Sequence, residues 1–223
     1  MKQNDIRKIV DEAETELASR VSALLERQGK FEIDQYARFL SMQYHLTTDV
    51  QQEFFSAAGN HGFSNRKPLR KFLTTFAEEE EPHYNIAKID LESLGRTIDE
   101  VPIDVMMWKN YFDNTILERP CIRIGATCVL ENIANKAAGD ITTLIEKTPE
   151  LGKNNTRFIV IHMHGNAIPH GDEIMEAVED NDFTEIEQKD LILGARIGKK
   201  TYLQLVDWII TGEEVTKAAS IAL

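Results

Sequence analysis

Apolar residues recur every three or four positions along most of the chain, and no segment reads as a strand. Ile6, Ile9, Val10, Ala13, Leu17, Val21 and Leu24 predict an amphipathic helix over residues 4–28, stopped at Gln28-Gly29-Lys30. A second helix is expected from about Asp34 to Ala58, with Tyr36, Leu40, Tyr44, Thr47, Val50 and Phe54 as its buried stripe. Gly59-Asn60-His61-Gly62 reads as a turn. A third helical stretch covers Lys67 to Leu94 and is closed by Gly95. Pro82 should kink it, because proline has no N–H for the carbonyl of Glu78. Further helices are predicted over 103–117, from Cys121 to Lys147 behind Pro120, from Thr156 through His162, from Glu173 to Val178, and from Phe183 to Ile210. Gly165 and Pro169 perturb the one that ends at His162. With no repeat and no linker, residues 1–223 read as one domain, an all-α bundle with short loops.

The composition fits that picture. Hydrophobic residues make up 42% of the 223 positions, enough for a sizeable core, and the 28% that are charged describe an ordinary surface. The formal net charge of -12 argues against nucleic acid, because phosphate binding needs clustered Lys and Arg, and against docking on anionic lipid. Cys121 and Cys128 lie two turns apart on a predicted helix, about 10 Å at 1.5 Å per residue, too far for a disulfide. The absence of CxxC fits a reducing compartment. The N-terminus MKQNDIRKIVDEAETELASR lacks the apolar run of a signal peptide, and no apolar stretch is long enough to span a membrane. A cytoplasmic protein is expected.

The chemistry-bearing residues fall in three places. In Glu78-Glu79-Glu80-Glu81-Pro82-His83, His83 continues the apolar stripe of Phe72, Phe76, Ala87 and Leu91. Glu79 and Glu80 precede it by four and three residues, so one of them shares its face. Glu80 with His83 is an ExxH pair, the spacing that carboxylate-bridged metal sites use. A solvated acidic run beside a hydrogen-bonded core histidine reads the same residues without a metal. Glu131 stands in the mostly apolar stripe of Ile124, Cys128, Asn135 and Ala138. A carboxylate there must pair with a cation, protonate or bind a metal, because an isolated buried charge is very costly. In the third place His162, Asn166 and His170 follow one another at four-residue spacing, and an unbroken helix would stack them on one side. His162 follows Phe158 and Ile159 inward, whereas His164 faces elsewhere. Carboxylate and neutral imidazole together suit Fe, Mn or Zn. No GxSxG, phosphate loop or dinucleotide fingerprint competes.

The order of these elements resembles a known superfamily. A tyrosine-rich second helix (Tyr36-Ala37-Arg38-Phe39-Leu40-Ser41-Met42-Gln43-Tyr44-His45) is followed by the acidic helix with His83, a Val129-Leu130-Glu131-Asn132 helix and an HxxxNxxxH segment. Over about residues 30–210 this is similar to the heme-oxygenase-like superfamily, and within it to the non-heme dimetal oxidases and iron-containing redox enzymes. The resemblance implies an all-helical fold holding one or two iron ions, or manganese, between core helices. Glu80 or Glu79 with His83 would form the first ligand pair, Glu131 the middle carboxylate, and His162, Asn166 and His170 the last group. That family has Asp where Asn166 stands, and His170 comes one residue later than its pattern, which puts the second metal position in doubt. The implied activity is O2-dependent oxidation of a small molecule by an oxidoreductase, and the implied assembly is a homodimer. Tyr44, one turn after Leu40, is placed to hydrogen-bond near the site as a catalytic residue, or else packs in the core.

Other branches of the superfamily imply other chemistry. Heme is disfavoured, because no histidine precedes His45 and no close glycines surround Glu131. Gly194-Ala195-Arg196-Ile197-Gly198 is explained more simply by close helix packing. Pro120-Cys121 is similar to the Pro-Cys pair of the thiaminase-II (TenA-like) branch, but Ile122, Arg123 and Ile124 replace the aromatics that follow there. The pyrroloquinoline-quinone-synthase branch needs no metal. A metal-free binding or metabolic protein with a degenerate site is the remaining alternative.

Overall fold

The computed structural model describes residues 3–163 and 170–214. Its helices run α1 (Gln3–Gln28), α2 (Ile33–Thr47), α3 (Val50–Ala58), α4 (Lys67–Glu80), α5 (His83–Ser93), α6 (Ile103–Ile116), α7 (Pro120–Leu130), α8 (Ala138–Glu146), α9 (Arg157–Met163), α10 (His170–Glu179) and α11 (Glu185–Thr211), with a 3-10 turn at His61–Phe63. The described residues contain no strand, as the periodicity required. His164, Gly165, Asn166 and Pro169 lie outside the described residues.

Local sequence sets several helix ends. Pro68 sits in the first turn of α4 and Pro120 in that of α7, where a missing N–H costs nothing. Thr184 and Glu187 close a capping box on α11, and Gly212 ends it in the left-handed conformation at φ 75°. The apolar stripe of α1 is buried as expected: Ile6, Ala13, Leu17 and Leu24 all sit in the main core. Each such isoleucine or leucine contributes about 1.5–3 kcal/mol through its removal from water, and Ala13 less.

Two predicted helices are each split. The stretch 34–58 breaks after Thr47, where Thr48 is extended and Asp49 adopts φ 68°. Aspartate tolerates that left-handed conformation better than most residues. The stretch 121–147 breaks after Leu130, and residues 131–137 form turns before α8. Asn132 is the physical cause. Its side-chain amide donates to the Cys128 carbonyl (2.9 Å), the acceptor its own N–H would use in a helix, and that N–H turns to Val129 (3.1 Å).

The closest helix pair is α7 and α11, and glycines make it so. A Cβ on Gly194 would stand 1.8 Å from the carbonyl oxygen of Ile122, and one on Gly125 would stand 2.0 Å from that of Leu191. This pair forms one wall of a cavity of about 210 Å³ whose lining also draws on α1, α2, α4 and α9. No described helix is long and apolar enough to cross a membrane.

Candidate metal centre

Glu80 ends α4 and His83 opens α5, separated only by Glu81 and Pro82. The stretch expected to kink at Pro82 is divided there into two helices, but Pro82 keeps a near-helical backbone (φ -80°, ψ -12°), so both side chains stay on one face. His83 Nδ1 lies 2.7 Å from Glu80 Oε2. A carboxylate oxygen only accepts, so Nδ1 carries the hydrogen, and in a neutral ring Nε2 then has the lone pair that could ligate. His162 repeats this arrangement: its Nδ1 donates to the carbonyl of Phe158 (2.7 Å), which leaves Nε2 free. Metal-ligating histidines are oriented in this way, by a bond at the other ring nitrogen.

The rings of His83 and His162 meet edge to face, with centroids 4.6 Å apart, and Phe158 stacks on His162 at 4.2 Å. His162 lines the cavity and is exposed, although protein atoms surround it closely. Burial holds its pKa below the ordinary value.

On the other side of Glu80 stands His170. Its Nε2 is 2.9 Å from Glu79 Oε2, and its Nδ1 is 3.5 Å from Glu80 Oε1 and 3.6 Å from Glu131 Oε2. Burial opposes charge on this imidazole, but its bonds to Glu131 and Glu80 outweigh burial and raise its pKa well above the ordinary value. Burial likewise opposes charge on Glu80, and the bonds from His170 and His83 win, keeping it ionised.

Two triads result, Glu80–His83–His162 and Glu80–Glu131–His170, and in each the ligand-type atoms lie within 4.8 Å of one another. Either could hold a metal ion. Glu80 belongs to both. It is 4% exposed, and its Oε1 is buried without a hydrogen-bond partner. An ionised oxygen shut away from water with no hydrogen bond, only the 3.5 Å ion-pair contact to His170 Nδ1, is incompletely satisfied, so this atom favours a cation beside it. The residues present, carboxylates and imidazoles, therefore fit a metal ion.

The structure brings Glu79, Glu80, His83, Glu131, His162 and His170 together, whereas Asn166 lies outside the described residues. Tyr44 does not join them. Its ring packs on His45 and Tyr84 (5.2 and 6.0 Å), and the cavity is lined instead by Gln43 and Thr47 of the same helix, together with Tyr36 and Tyr202. Cys121 and Cys128 are free thiols, both buried. Burial pushes the thiol of Cys121 far above its ordinary pKa, which disfavours the thiolate a nucleophile needs.

Two positioning residues carry no sequence motif. Asp90, fully buried on α5, accepts the backbone N–H of Phe158 (2.8 Å) and a bond from Arg157 (3.2 Å), which fixes the start of α9 below His162. Asn132 also donates to the carbonyl of Gly171 (3.2 Å), and a Cβ on that glycine would lie 2.3 Å from Asn132 Oδ1, so the residue after His170 is seated by close contact.

No protein-family model matches the chain, and no curated protein matches it in sequence. It is similar in structure to a domain of unknown function from Shewanella denitrificans described as having a heme oxygenase-like fold, with a TM-score of 0.72 and 16% identity over 92% of this chain and 89% of that one. With its all-helical architecture, the chain has a heme oxygenase-like fold.

Proposed function

We propose that this protein is a non-heme metal-dependent oxidoreductase that holds iron, or manganese, at the two triads sharing Glu80 and oxidises a small molecule with O2. The observation that carries the reading is the buried Glu80 Oε1, which accepts no hydrogen bond, in a carboxylate shared by the two triads. A reduced iron ion bound there would supply electrons to O2, chemistry that no side chain offers by itself. The protein's own part is orientation and exclusion of water. Nδ1–H bonds to Glu80 and to the Phe158 carbonyl fix His83 and His162 with Nε2 free. Glu131, at the end of α7, adds a second carboxylate to the lining. Phe76, Phe158 and Ile159 line the adjoining cavity and keep it largely apolar, as a small organic substrate requires.

One observation favours the metal-free alternative. The carboxylates already have protein partners, with His83 on Glu80 at 2.7 Å and His170 on Glu79 at 2.9 Å. Elemental analysis separates the readings. Protein loaded anaerobically with Fe(II) or Mn(II), then desalted, should retain about one to two ions per chain, and Glu80→Ala should retain none. Wild-type protein that keeps no ion is the metal-free protein.

A further inference from the structure

The cavity beside the triads has one polar pair that the metal reading does not use. Gln43 of α2 and Tyr202 of α11 both line it, and Gln43 Nε2 donates to Tyr202 Oη at 3.1 Å. Since Oη accepts that bond, its own hydrogen is left to turn into the cavity. Both residues keep accessible surface although they sit deep between two core helices, and that surface borders the cavity. Burial pushes the Tyr202 pKa up to about 12, so the group stays a neutral phenol and a donor; Glu131 is close enough to push the same way.

The charges of the lining decide what such a donor can hold. Near Tyr202 the charged lining group is Glu131, already paired with His170 (3.6 Å), so it offers an anion no attraction. The guanidinium in the lining, Arg123, is 4% exposed and already neutralised by Glu53 (3.0 Å), with Thr127 as a second partner (3.2 Å). In the metal-free protein a carboxylate entering here would find no unpaired cation among the described lining residues. An uncharged oxygen needs none.

The geometry points to Tyr202, oriented by Gln43, as a substrate-anchoring residue whose hydroxyl donates to an uncharged oxygen, a carbonyl or hydroxyl, on an otherwise apolar molecule. This names the substrate class for the proposed oxidoreductase but acts without the metal, so metal-free protein tests it separately from metal content. Three probes of equal length are titrated into metal-free wild-type protein while tryptophan fluorescence is followed, Trp108 being in the lining. They are nonan-2-one, nonane and nonanoate. The ketone should bind most tightly. Tyr202→Phe removes only the hydroxyl and should weaken the ketone about five- to tenfold, the worth of one hydrogen bond, while nonane stays within about twofold. Gln43→Leu should weaken the ketone by a smaller factor. Nonanoate binding more tightly than the ketone overturns the assignment, as does an unchanged ketone in Tyr202→Phe or an equal loss of ketone and nonane.

Discussion

Asp90 accepts the backbone N–H of Phe158 at 2.8 Å, and the carbonyl of the same Phe158 accepts Nδ1–H of His162 at 2.7 Å. One residue thus ties the helix that begins at His83 to the orientation of His162. Asp90→Ala leaves a buried N–H without a partner and should cost about 2–3 kcal/mol of stability in urea denaturation. It should also lower iron retention after desalting, while Asp90→Asn, which keeps one acceptor, does so less. Full iron retention in a folded Asp90→Ala would show that α9 needs no such anchor.

The shared carboxylate predicts a pattern of stoichiometry. His162→Ala removes a member of one triad and His170→Ala a member of the other, so each should lower the metal content partially. Glu131→Ala should lose metal from the triad that contains His170. Inductively coupled plasma measurements on the loaded variants give the answer. A Glu80→Ala protein that retains as much metal as wild type would dismiss the shared position.

Gly194 is where a single methyl should be least tolerated. Its Cβ would meet backbone, the Ile122 carbonyl at 1.8 Å, so α7 and α11 must separate to admit it. Overpacking of this kind costs about 1–3 kcal/mol and more where backbone has to move. Gly194→Ala should therefore lower the melting temperature by more than Gly139→Ala, where a Cβ meets nothing within 4 Å.

Acid should weaken one specific link. Glu187 accepts two bonds from Arg66, at 2.7 and 2.8 Å, and that pairing lowers its carboxyl from 4.5 to about 2. A depressed folded pKa stabilises the protein above the unfolded value, and the contribution disappears as pH falls from 4.5 towards 2. After solvent screening it amounts to about 1–2 kcal/mol. Urea melts between those pH values should show a shallower loss for Glu187→Gln than for wild type, with Thr184 still able to cap the helix. Identical slopes would refute the link.

The sequence by itself determined the helices, because a period of three to four is a local property that burial must satisfy wherever the helix docks. It also marked Glu80 with His83 as a pair, since three residues of helix put them on one face whatever surrounds them, and Pro82 as the break between them. It determined little about direction across the bundle. Tyr44 shares the stripe of Leu40 in the one-dimensional pattern, yet the rotation of α2 against α11 turns Gln43 to the cavity and Tyr44 towards Tyr84. The breaks after Thr47 and Leu130 depended on a left-handed Asp49 and on the Asn132 amide competing for a helical carbonyl, both weak preferences until neighbouring helices fix them. That His170 meets Glu79, Glu80 and Glu131 was decided by α10 packing on α4 and α7, a contact between segments some forty to ninety residues apart that no local rule reaches.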